Sequence, residues 1–176
     1  MSEEQVGNYV TDDTAFSLAE LAGLDTSDIA VVSSRLPMAG LWTVQCNSAT
    51  MSVEKPKEAG QQPLPKISHK FESIKIQPTE VPEDFDPSTT VGRRLSDVSV
   101  LWPNDIREAI GLLKGKYKRV GLPTEGKLGG VEGMEPGWID SAVGRIFVLK
   151  VRHYESKGET RAAIDWVGPA DDSESV

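Results

Sequence analysis

The segment RIFVLKVRHYESKGETRAAIDWV (145–167) constrains the fold most, because one self-pairing sorts its side chains cleanly. Residues 145–155 and 161–167 alternate as strands do, and SKGE between them is turn sequence. With Glu155 opposite Thr160, Tyr154 faces Arg161, Arg152 faces Ala163 and Lys150 faces Asp165. The other face then pairs Val151 with Ile164 and Leu149 with Trp166. A slip of one residue turns every side chain over, so the apolar sorting sets the register. The polar face keeps Lys150, Arg152, Tyr154 and Arg161, which are cations around one aromatic ring. Such a face is either a platform for nucleic acid or an ordinary solvated sheet surface.

Two earlier segments also alternate. In GLWTVQCNSATMSVE (40–54), Trp42, Val44 and Cys46 share one face, and Thr43, Gln45 and Asn47 share the other. In KISHKFESIKIQ (66–77), Ile67, His69 and Phe71 share a face. The phase then changes at Ile74 and Ile76, which predicts a bulge or bend. VGRRLSDVSVLW (91–102) predicts a short strand and a turn. PNDIREAIGLLKGKYKRVG (103–121) is the clearest helix, with Ile106, Ile110, Leu113 and Tyr117 on one stripe. Pro103 and Asp105 suit its start, while Lys114, Lys116, Lys118, Arg119 and the stop at Gly121 suit its end. Residues 55–65, 78–90 and 122–137 are rich in Pro, Gly and polar residues and read as loops. Residues 1–13 read as loose, and TAFSLAELAGLD (14–25) as a short helix. Trp42 and Trp166 read as core. Trp102 and Trp138, at element ends, read as exposed.

This order of strand, strand, short strand, helix and hairpin predicts a mainly β, OB-fold-like five-stranded barrel. Its helix lies between strands three and four, and its loops are long. Three regions follow: an acidic N-terminal arm (1–34), an OB-like nucleic-acid-binding domain (35–168) and an acidic C-terminal tail (169–176).

Charge supports that division. The total is −8, yet residues 1–34 hold seven acids and 165–176 hold four, and neither stretch holds Lys or Arg. All 19 basic residues fall in 35–164, where they outnumber the acids by three. The acidic ends act either as solubilising tails or as a functional competitor for the basic face.

Several function classes find no support. No apolar run approaches the roughly 20 residues of a membrane span, and MSEEQVGNYV lacks the basic and apolar parts of a secretion signal. Cys46 stands alone and reads as a small buried hydrophobe, so neither a zinc site nor any other cofactor is expected. His69 alternates with apolar residues and reads as packed, and His153 reads as the inner edge of its strand. GKLGGVEG (126–133) lacks the spacing of a phosphate loop. No enzyme is expected.

Binding single strands requires cations for phosphates and rings on which bases stack. Lys150, Arg152, Tyr154 and Arg161 are the expected site, with Arg93, Arg94, Lys55 and Lys57 as additions from loops.

RLPMAGLWTVQCNSATM (35–51), VGLPTEGKLGG (120–130) and VGRIFVLKVRHYESKGETRAAIDWV (143–167) together resemble bacteriophage single-stranded-DNA-binding proteins of the OB-fold type. Leu36-Pro37-Met38-Ala39-Gly40 is similar to that family's Leu-Pro-x-Gly lead-in, with one extra residue. The run 144–151, GRIFVLKV, is similar to its Gly-[Lys/Arg]-x-Phe-x-x-Lys-Val strand. DDSESV resembles its acidic tails but ends in Val176 rather than an aromatic residue. The resemblance implies sequence-independent binding of single-stranded DNA in phage replication or recombination, in the cytoplasm of the bacterial host. It also implies a tail that competes with DNA and recruits replication or recombination proteins. The alternatives are a virion structural protein (capsid decoration or tail component) and an accessory protein acting through its acidic N-terminal arm.

Overall fold

The computed structural model describes residues 36–53, 59–81, 83 and 85–170, together with the backbone of 8–11 and 14–17. It divides into two units, residues 1–35 and 36–176. In the first, β1 (Asn8–Thr11) and β2 (Thr14–Ser17) form an antiparallel hairpin with Thr11 opposite Thr14. This corrects two expectations, a loose segment at 8–11 and a helix beginning at Thr14. The physical reason is local: Tyr9, Val10 and Thr11 on one side and Thr14 and Phe16 on the other favour strands, and Asp12-Asp13 between them is turn chemistry. Positions 18–25 of that expected helix lie outside the described residues.

The second unit is one five-stranded antiparallel sheet. Its strands are β3 (Gly40–Val53), β4 (Pro65–Pro78), β5 (Arg94–Val100), β6 (Ile146–Ser156) and β7 (Glu159–Pro169). Helix α1 (Ile106–Arg119) follows β5, after a short 3-10 turn, Pro103–Asp105. The order across the sheet is β5-β4-β3-β6-β7. The fold is therefore mainly β and OB-like, with the sheet open between its edge strands β5 and β7.

The hairpin forms in the expected register, with Tyr154 opposite Arg161, Lys150 opposite Asp165 and Leu149 opposite Trp166. Lys157 (φ 51°) and Gly158 (φ 76°) make the turn, and two positive φ values give the twist that tight hairpins favour. The expected bulge in β4 is present: Lys75 lies opposite Thr43 and Ser73 opposite Val44, so Ile74 is the extra residue. A second irregularity in β3 falls at Asn47, because Cys46 pairs with Phe71 but Ser48 pairs with Lys70.

The inner face carries the core. Trp166 is its centre, with ring centroids 5.0 Å from Phe147, 5.1 Å from His69, 5.4 Å from Tyr117 and 5.7 Å from Phe71. Trp102 is exposed as expected. Trp138 is not: it is buried, edge-on to Tyr117 at 4.9 Å. The reason is non-local. Trp138 N–H donates to the Lys127 carbonyl (2.9 Å) and Ile139 N–H to that of Leu128 (3.1 Å), so the Gly-rich loop folds back and draws the indole inward.

Helix α1 packs against both edge strands of the sheet. Leu113 and Tyr117 are its buried residues, while Ile106 stays largely exposed. Asp97 on β5 binds this corner together. Its Oδ2 accepts from Lys116 Nζ at 2.7 Å and from Trp166 Nε1 at 2.8 Å. One carboxylate thus joins β5, α1 and β7 where the sheet has no backbone ladder. Among the described residues no helix is long and apolar enough to cross a membrane.

His69 is fully buried beside this corner. Tyr117 Oη donates to the Ile139 carbonyl (2.9 Å), so it accepts from His69 Nε2–H (2.8 Å), and Nδ1 has no partner. Burial pushes the imidazole down to about 4. A folded-state value below the unfolded one favours the neutral ring. That stability is therefore complete above the unfolded value near 6.5 and is lost as pH falls towards 4. Between pH 7 and 4.5 the ring should contribute a loss of roughly 2–3 kcal/mol, at 1.36 kcal/mol per pH unit. Urea unfolding of the native chain and of His69→Leu at both pH values should give a smaller drop for the variant. Equal drops would place the acid sensitivity elsewhere.

Candidate nucleic-acid interface

Cross-strand partners share a face of the sheet, so the pairings assign each charged side chain. The first row on the outward face is Arg94, Glu72, Gln45 and Ile146. Towards one end, the next rows contain Ser96–Lys70–Ser48, then Val98–Ser68–Thr50, then Val100–Lys66–Ser52. Towards the other end lie Lys75–Thr43–Val148–Gly168, then Gln77–Leu41–Lys150–Asp165. Pairing of β3 with β6 stops at Gly40 opposite Val151, so Arg152–Ala163 and Tyr154–Arg161 sit on a two-stranded ribbon beyond it.

Among the described residues, the outward face accordingly holds seven cations (Lys66, Lys70, Lys75, Arg94, Lys150, Arg152 and Arg161) and three acids (Glu72, Glu159 and Asp165). Lys150, Arg152, Tyr154 and Arg161 are brought together as expected, and all four are exposed. Arg94 shares the face but lies on the far edge strand, three strands away from β6. Arg93 serves the loop instead. Its Nε donates to the Thr89 carbonyl (2.5 Å) and its backbone N–H to Ser73 Oγ (2.9 Å). Lys55 and Lys57 lie outside the described residues.

Lys66, Lys70 and Lys75 join the face without having been expected there. A signal existed, because Lys66, Ser68 and Lys70 alternate with the apolar Ile67, His69 and Phe71. Lys75 returns to the same side only because the bulge at Ile74 restores the phase.

The ribbon's charge is partly cancelled. Arg152 Nε reaches Asp165 Oδ2 at 2.5 Å and its Nη2 reaches Oδ1 at 3.3 Å. The two-point bond holds the Asp165 carboxyl below the usual carboxylate range and raises the guanidinium further. Arg161 lies 3.5 Å from Glu159. His153, across the ribbon, donates through Nε2 to the Pro37 carbonyl at 2.8 Å and so ties the ribbon's base to the residues before β3. Among the described residues, no three His, Cys, Asp or Glu side chains gather as a metal ion requires. Cys46 is buried, and burial pushes its thiol up to about 12.

No protein-family model matches the chain, and a comparison with curated proteins finds no match.

Proposed function

We propose that the chain binds single-stranded DNA without reading its sequence, in the replication or recombination of a bacteriophage, within the cytoplasm of its host. It is a binding protein and performs no catalysis. One observation carries the reading: among the described residues, seven cations against three acids on one outward sheet face, in a chain whose total charge is −8. Phosphate contacts supply the sequence-independent part of nucleic-acid affinity, and an open sheet face suits a flexible strand better than a rigid duplex. Exposed Tyr154 offers a ring for stacking within this set. The acidic tail follows β7 directly. It competes with phosphates for these cations and recruits partner proteins once displaced. Tethering gives so weak a competitor a high local concentration.

A gel shift with labelled oligo(dT) and unlabelled duplex competitor tests the proposal. Retention of the labelled strand against excess duplex supports it. A virion component without nucleic-acid affinity shows no shift. Asp165→Asn adds a directional test: it releases Arg152 from its two-point bond and removes one acid from the face. Affinity for oligo(dT) should rise several-fold at low salt, and the gain should fade as salt screens the face. A loss of affinity would mean that Asp165 positions Arg152 rather than masking it.

A further inference from the structure

A cleft of about 710 Å³ opens beside the bulge in β4. Its floor includes Thr43, Ile74 and Lys75, and its wall is formed by Val81, Phe85 and Val91 from the loop between β4 and β5. Thr43 and Lys75 belong to the outward face, so the cleft opens on the side that carries the cations. Val81 and Val91 are 68% and 63% exposed, leaving an apolar rim in water. The volume falls within the ~300–1,000 Å³ of small-molecule sites. Among the described lining residues Lys75 is the one cation, Thr43, Gln77 and Thr90 add neutral polar groups and the rest are apolar, which matches a flat ligand with polar edges and an anionic attachment. Lys150 lies in the row next to Lys75 on the same face.

We propose that this cleft receives one nucleobase of the bound strand, lifted out of the stack, while Lys75 holds an adjoining phosphate. This rests on the single-stranded-DNA reading and gives it a second kind of contact. Cations alone bind any polyanion, whereas the cleft makes bases matter. The bulge lies at the cleft, because its extra residue Ile74 is part of the lining.

The test compares oligo(dT) with an abasic phosphodiester of equal length, which has the same phosphates and no bases. The native chain should prefer oligo(dT). Val91→Ala with Phe85→Ala should weaken oligo(dT) binding about tenfold, the low end for one stacked base, and leave abasic binding and its salt dependence unchanged. Val91→Ser alone, at a largely exposed position, should show the same selectivity in smaller measure without threatening the fold. Equal losses on both ligands, or no loss on either, would overturn the base slot and leave the cationic face standing. Failure of the native chain to bind either ligand would overturn both.

Discussion

Gly129→Ala should destabilise the chain by roughly 3–5 kcal/mol, a large share of a domain's stability. Gly129 has φ +76°, where a Cβ costs roughly 1–2 kcal/mol, and here the atom also has no room. It would stand 2.2 Å from Asp140 Oδ2 and 2.2 Å from the Gly137 nitrogen. That carboxylate atom clasps the loop by accepting from Gly130 N–H (3.0 Å) and Gly137 N–H (2.7 Å). Forcing it aside strands two donors as well as overpacking the crossing. The loop also sets Trp138 against Tyr117, and its Gly130 carbonyl accepts from Met51 N–H at 2.6 Å, so its disruption reaches the core. Gly133→Ala is the control. Its φ is +77° but nothing lies within 4 Å of the added carbon, so only the backbone strain of roughly 1–2 kcal/mol is expected. Thermal or urea unfolding of both variants separates backbone strain from steric conflict. Equal losses would contradict the close crossing.

The second large effect concerns binding. Replacing Lys70, Arg94, Lys150 and Arg152 together by alanine should weaken affinity for oligo(dT) roughly a hundredfold to a thousandfold, at about 1 kcal/mol for each phosphate interaction removed. All four are exposed, so the fold should survive. Arg152 leaves an exposed ion pair, and such pairs contribute little to stability. Two of the four lie on β4 and β5 and two on β6. Splitting the variant into these halves shows whether the strand crosses the whole sheet. If only the β6 half loses affinity, the site is confined to the ribbon.

Legibility from sequence followed the range of the interactions. The hairpin register was readable in every pair named, because a two-residue turn and strict alternation are local. The β4 bulge was readable from one change of phase. The first hairpin was not, since Phe16, Leu18, Leu21 and Leu24 satisfy a helical stripe while Thr14–Ser17 alone favours a strand. Trp138 was misplaced because its burial depends on Lys127 and Leu128 reaching back across a glycine-rich loop. Within the candidate site, Lys150 was correctly set opposite Asp165, yet the carboxylate bonds to the diagonal neighbour Arg152. Diagonal reach is a property of side-chain length and twist, which a register does not contain.

The most direct measurement is the affinity for labelled oligo(dT) of the native chain and of the four-alanine variant, titrated by anisotropy across a range of NaCl concentrations. Each phosphate neutralised on a single strand contributes a slope of roughly −0.7 in log affinity against log salt. The native chain should bind with a steep negative slope. The variant's slope should be shallower by about 2–3, the equivalent of four phosphates no longer neutralised. An absence of binding, affinity independent of salt, or identical slopes for the two proteins would contradict the assignment of the outward sheet face as a site for single-stranded DNA.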